Sequence, residues 1–164
     1  MKAKVDKSGR TSAGILLWRR PEGRLEVLLA HNGGPYWVKK DHGHWTVLKG
    51  EAEPGEELEA VARREFAEET GTDPPQGATV DLGEVRQPSG KRITAWAVEG
   101  DFDAAAVKSN TFTMEWPPRS GRHQEFPEID RADWFDTATA RVKLVNGQVP
   151  FIDVLEDRVL GARA

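Results

Sequence analysis

The stretch that ends at Gly71 limits the fold more than any other part of the chain. Between Gly55 and Gly71 there is neither glycine nor proline, and helix formers dominate: Glu57, Leu58, Ala60, Ala62, Arg63, Arg64 and Ala67. Gly71 stands where a left-handed cap stops a helix, so the pattern predicts one helix over 55–70. On a wheel of about 100° per residue, Glu65, Glu68 and Glu69 fall within about 80° of Leu58, alongside Val61 and Ala62. Three carboxylates therefore continue the stripe that should face a core. The opposite side, with Glu59, Ala60, Arg63 and Ala67, is an ordinary solvated face.

A charge-rich helix usually just solvates its polar side. Here the three acids are neighbours at i, i+3 and i+4, and they crowd the last turn, where the helix already presents partially negative carbonyls. Both effects are unfavourable in bare protein, so a positive group is expected there. Clustered carboxylate oxygens with no cysteine in the chain and no obvious histidine partner suit Mg²⁺ or Mn²⁺ better than zinc or copper.

Around this helix, strands and helices interleave. Apolar or alternating runs at 13–18, 25–30 and 45–48 read as strands, separated by turn-rich stretches such as Arg20-Pro21-Glu22-Gly23 and Asn32-Gly33-Gly34-Pro35. Two more strands are predicted over 79–85 and 92–98, and shorter ones over 111–116 and at Trp134-Phe135. Asp136 or Thr137 is placed to cap a helix running to about Val145. Phe151, Ile152, Leu155, Val159 and Leu160 have the spacing of an amphipathic helix that covers a core. The fold class expected is α/β, a mixed sheet covered by helices, in a single domain over 1–164.

Composition narrows the function. With 164 residues, 38% hydrophobic and 30% charged, the chain can bury one core. The absence of cysteine excludes disulfide scaffolds, thiol nucleophiles and iron–sulfur clusters. The charged start, Met1-Lys2-Ala3-Lys4-Val5-Asp6-Lys7, does not read as a secretory signal, and no apolar run reaches membrane-spanning length. A soluble cytoplasmic protein is expected. The net charge of −4 gives no basic field for nucleic acid and no membrane-seeking surface. Its distribution is uneven, +6 over residues 1–49 and −6 over 50–72.

Gly50, Glu56 and the run Arg64-Glu65-Phe66-Ala67-Glu68-Glu69-Thr70-Gly71 also carry a family resemblance. With five residues between Gly50 and Glu56 and seven between Glu56 and Arg64, they resemble the Nudix box of the MutT-like pyrophosphohydrolases. Only Thr72 departs, standing where an aliphatic residue is usual. Trp45-Thr46-Val47-Leu48-Lys49-Gly50-Glu51 is similar to the corresponding stretch of Nudix proteins akin to diadenosine polyphosphate hydrolases, with Leu48 where proline is common. The fold implied is the Nudix α/β/α sandwich with a mixed β-sheet.

The resemblance also implies roles. Glu65, Glu68, Glu69 and the carbonyl of Gly50 would bind divalent ions, and Arg64 with Glu56 would hold the carboxylates in position. Glu65 is one candidate for the general base. Some family members take the base, or another ligand, from a downstream loop, where Glu125 and Glu128 lie here. Glu128, six residues before Trp134, is preferred. Lys49, beside the metal-binding turn, is the basic residue chosen to contact phosphate.

Six tryptophans against one tyrosine raise the prospect of base stacking, with Trp37, Trp45 and Trp116 in or near loops. His42, His44 and His123 lack the neighbours of a zinc site. Nudix enzymes cleave a nucleoside diphosphate linked to another moiety, so the partner is a small nucleotide. Dinucleoside polyphosphates or nucleoside triphosphates rank first. ADP-ribose ranks second: Pro88, 16 positions after Thr72, resembles a proline of the ADP-ribose pyrophosphatases, although a turn explains it better. A non-catalytic nucleotide-binding regulatory domain is the alternative of a different class.

Overall fold

The strand β1 (Thr11–Arg19) organises the molecule because both its faces and both its edges are used. A computed structural model describes residues 11–161, so the charged N-terminal start lies outside the described residues. Along one edge β1 pairs in parallel with β6 (Arg92–Glu99), which pairs antiparallel with β5 (Thr79–Arg86). Along the other edge it is shared: Trp18 and Arg19 pair with β2 (Glu26–Asn32), and Ser12 to Ile15 pair with β4 (Leu48–Glu51). β2 then pairs with the short β3 (Trp45–Thr46) and with β9 (Ile129–Asp136). Among the described residues this makes one mixed sheet of seven strands.

Alternation along β1 sends its side chains into two cores. Ala13, Ile15 and Leu17 meet Leu58, Val61, Ala62 and Phe66 of α1 (Leu58–Thr70) on one face. Leu16 meets Ala140 of α2 (Thr137–Lys143), Leu144 beyond it, and Phe151, Ile152 and Leu155 of α3 (Pro150–Leu160) on the other. The fold is the expected α/β/α sandwich. A fully buried Phe such as Phe66 or Phe151 contributes roughly 2–3 kcal/mol of transfer free energy, enough to fix each helix on its face.

Helix ends follow the local signals. Gly71 adopts φ 81° and donates its N–H to the Ala67 carbonyl at 2.8 Å, and the Asp136 carboxylate accepts from the Thr139 N–H at 2.8 Å. α1 begins at Leu58 rather than just after Gly55, and α2 ends at Lys143, short of Val145, whose N–H goes instead to the Trp45 carbonyl.

Two strand expectations are corrected. The run 45–48 is two strands, not one, because the Val47 N–H leaves the ladder for the Gln148 side chain at 2.9 Å while the chain passes from β2 to β1. Trp134-Phe135 is the end of an eight-residue strand whose first half, Ile129-Asp130-Arg131-Ala132, is broken by charges and a bulge opposite His31 and Asn32. The strand expected over 111–116 is present as β7 (Thr111–Glu115) and stands apart from the sheet. It forms a separate hairpin with β8 (His123–Pro127), which has almost no buried side chain and hence no apolar alternation to reveal it. Among the described residues no helix is long and apolar enough to cross a membrane.

Candidate active site

The acidic face of α1 lies over β4, and a glycine makes that approach possible. Gly50 pairs with Ala13 and faces α1; a Cβ there would fall 2.0 Å from the Glu65 carboxyl carbon. Any side chain at position 50 would displace Glu65 from the strand. One residue earlier, the Lys49 N–H donates to Glu69 Oε1 at 2.8 Å, so consecutive positions of β4 receive two of the three clustered acids.

The protein supplies part of the positive charge that the sequence demands. Arg64 Nη1 donates to Glu56 Oε2 at 2.5 Å, while its other nitrogens lie 3.6 Å from Glu65 and 3.9 Å from Glu68. Glu56 is itself held, accepting the Glu53 N–H at 2.7 Å. Arg64 and Glu56 are thus brought together with the acids, and the arginine bridges rather than merely decorating the surface. Among the described residues no three His, Asp or Glu side chains already converge as ligands on one point.

Neutralisation is incomplete where burial is deepest. Glu69 is only 9% exposed, and desolvation pushes its carboxyl up to about 8. The Lys49 ammonium and amide pull the other way, while Glu65 and Glu128 add to the rise. Glu65 is raised too, by desolvation first and then by Glu68, against the pull of Arg64. Desolvation and Lys91 push the Lys49 ammonium down, and Glu69, Glu51 and Glu65 hold it up. Lys49 is half-buried, packed against Gly14, where a Cβ would come within 2.9 Å of the lysine's own.

The two loop acids part company. Glu128 lies near enough to Glu65 and Glu69 for its charge to raise both. Its backbone is fixed on both sides: its N–H donates to the Asn110 carbonyl at 2.9 Å, and its carbonyl accepts from the Gly33 N–H at 2.8 Å. Glu125 lies on β8 opposite Thr113 and accepts a hydrogen bond from the Thr111 hydroxyl.

His31 escaped the sequence reading. It is fully buried at the end of β2; its Nε2 donates to the Lys40 carbonyl at 2.6 Å and its Nδ1 lies 2.8 Å from Asp130, two residues beyond Glu128. A histidine directly following the apolar run of β2 was the available signal. Of the candidate stacking residues, Trp45 belongs to the core at 4% exposure, its indole N–H given to Asp41. Trp37 is exposed and Trp116 half-buried. His44 bonds to the His42 carbonyl through Nδ1 and His123 lies exposed on β8, so no histidine site forms. Pro88 sits in a tight turn closed by the Gly90 N–H on the Gln87 carbonyl.

The chemistry of this donor set is oxygen throughout: three carboxylates on one helix face, a fourth beside them, and a strand backbone laid open by Gly50. Hard oxygen donors carrying uncompensated negative charge fit Mg²⁺ or Mn²⁺.

Comparison with known proteins agrees with this architecture. A family model described as the NUDIX domain matches residues 9–155. The NUDIX domain of Shewanella oneidensis NrtR, solved with ADP ribose, is similar with a TM-score of 0.62 at 18% identity, over 97% of this chain and 90% of that one. An Ap4A hydrolase of C. elegans in a binary complex gives 0.59 at 20% identity, over 91% and 98%. A MutT protein from Methanosarcina mazei Go1 gives 0.57 at 19%, over 90% and 93%. No curated protein matches the sequence significantly.

Proposed function

The chain belongs to the Nudix family of pyrophosphohydrolases, and from that premise we propose that it hydrolyses, with Mg²⁺ or Mn²⁺, a pyrophosphate bond in a nucleoside diphosphate linked to another moiety. The observation that carries the reading is the convergence of Glu65 and Glu69 on β4, under the field of Glu128.

In this reading Glu65, Glu68, Glu69 and the Gly50 carbonyl hold the divalent ions. When bound, those ions neutralise charge on the diphosphate and make water easier to deprotonate. The protein's own groups do the rest. Arg64, tied to Glu56, keeps the carboxylates from collapsing or splaying. Lys49 binds a phosphate oxygen. Glu128 accepts the proton of the attacking water; the water oxygen bonds to phosphorus as the bond to the bridging oxygen breaks, giving two phosphate products. Glu65 is the alternative base.

Dinucleoside polyphosphates or nucleoside triphosphates are the first substrate class, in keeping with the similarity to an Ap4A hydrolase over nearly its whole length. ADP-ribose is the second, because a similar NUDIX domain was solved with it. The retained carboxylates favour catalysis over nucleotide binding alone. The substrate is a small nucleotide rather than a nucleic acid, and a cysteine-free chain of this kind suits the cytoplasm. Turnover of a nucleotide panel with Mg²⁺, with products identified, tests the proposal. Cleavage at a pyrophosphate bond supports it, and binding without cleavage across the panel overturns the catalytic reading.

A further inference from the structure

Among the described residues, the large apolar side chains most open to solvent gather in one place. Tyr36, Trp37 and Val38 are consecutive, at 54%, 46% and 50% exposure; comparable side chains elsewhere, Val142 and Leu160, stand singly on α2 and α3. The Tyr36 ring meets Trp116 beyond the end of β7 edge to face, with centroids 5.1 Å apart, joining the loop to the hairpin. Trp37 lies 5.9 Å from the His44 ring. Scattered exposed apolar residues need no explanation, but a contiguous aromatic patch marks a binding surface.

The loop is anchored at the catalytic end. Gly33 donates its N–H to the Glu128 carbonyl at 2.8 Å. A Cβ on Gly33 would fall 2.0 Å from the Pro127 carbonyl oxygen, and one on Gly34, at φ 101°, 2.9 Å from the Phe112 ring. These glycines let the loop lie directly on the hairpin. Tyr36 follows three residues after Gly33, so at most about 10 Å of chain separates the aromatics from the residue bonded to Glu128. Lys39 and Lys40 follow the aromatics in sequence, and the Trp116 N–H bonds the carbonyl of Arg122 across the hairpin at 2.9 Å. At the hairpin's tip Arg119 holds φ 60°, a conformation uncommon for a non-glycine residue.

We propose that Tyr36, Trp37 and Trp116 form a stacking platform for the nucleobase of the substrate whose diphosphate is held at the acidic face of α1. This rests on the reading of that face as a nucleotide site and adds what selects the ligand. Open aromatic faces accept any base, because every base has a π-face. The enzyme therefore discriminates between diphosphates that carry a base and those that do not, and only weakly between bases.

The test compares binding of ADP and of ribose 5-diphosphate, which lacks the base, by calorimetry on the full chain with Mg²⁺. ADP should bind at least about tenfold more tightly, the scale of one stacked base. Tyr36→Ala and Trp37→Ala should erase that difference, while Val142→Ala, an equally exposed apolar residue on α2, keeps it. Equal affinity of the two ligands for the wild type, or variants that retain the difference, overturns the platform. So does a change in sedimentation mass of the variants without a change in affinity, which would make the patch an interface between copies. If the expected binding pattern appears but no nucleotide is cleaved, the catalytic reading fails and the platform stands. If nucleotides are cleaved with unchanged KM in Tyr36→Ala and Trp37→Ala, the platform fails and the catalytic reading stands.

Discussion

Two sheltered glutamates, one on each helix layer, meet opposite fates. Glu156 of α3, with its side chain 12% exposed, is bonded by the Arg141 guanidinium and by the Thr137 hydroxyl of α2. Glu69 of α1 is about as sheltered, yet it receives one backbone N–H and has Glu65 and Glu128 for neighbours; desolvation first, and then those acids, push its carboxyl up despite the pull of Lys49. A carboxylate that only has to be folded is paired by the chain itself. One left short of partners beside other acids holds a proton instead, and gives it up when a cation that the chain does not contain arrives.

The strongest way to break this contrast is to neutralise each acid in turn. Glu69→Gln should lower turnover by about 100-fold or more, the scale for removing a group that stabilises transition-state charge, while leaving the metal-free protein as stable or more so. Glu156→Ala should do the reverse, keeping turnover per folded molecule and costing about 1–3 kcal/mol by leaving a charge-assisted bond unmade. Steady-state kinetics beside thermal melts separate the two, and equal losses of activity would erase the distinction.

A second comparison lies within the loop that carries Glu128. Glu128→Gln should reduce kcat by about 100-fold with little change in KM, as expected for lost general base catalysis. Glu125→Gln, three residues away on β8, should change neither. If Glu125→Gln is the damaged variant, the assignment is reversed; if neither is, Glu65 is the base.

The mildest effect is on stability against pH. The folded protein holds the Glu69 proton to about 8 against an ordinary value of 4.5. Between these limits the unfolded chain has lost the proton while the folded one still binds it, so the contribution of this group falls as pH rises. The metal-free melting temperature of the wild type should decline over that window more than that of Glu69→Gln. Added Mg²⁺ should offset the decline by binding the ionised, native form. Parallel pH profiles of the two proteins would show that Glu69 is not the group responsible.

What could be read in the sequence was what local spacing encodes. Leu58, Val61, Ala62, Glu65 and Glu69 share a face because a helix repeats every 3.6 residues, and Gly71 ends that helix wherever it packs. The approach of that face to Gly50 depends on β4 reaching β1, and a family pattern rather than any physical periodicity pointed to it. Strand β8 stayed hidden because nearly all its side chains face solvent, leaving a run such as His123-Gln124-Glu125 without the alternation of a half-buried strand. The bond from Gly33 to Glu128 and the burial of His31 against Asp130 join positions far apart in the chain, and no local pattern encodes them. Exposure told Trp37 from Trp45, and only tertiary packing decides exposure.

Everything proposed for this chain depends on the acids on the inner face of α1 forming a divalent-ion site. The most direct test of that site is Mn²⁺ binding to the wild type and to Glu69→Gln, read from the free-ion electron paramagnetic resonance signal at matched protein concentration. The wild type should take Mn²⁺ out of solution, Mg²⁺ should compete for the same site, and Glu69→Gln should leave most of the ion free. Equal uptake by the two proteins would contradict the claim.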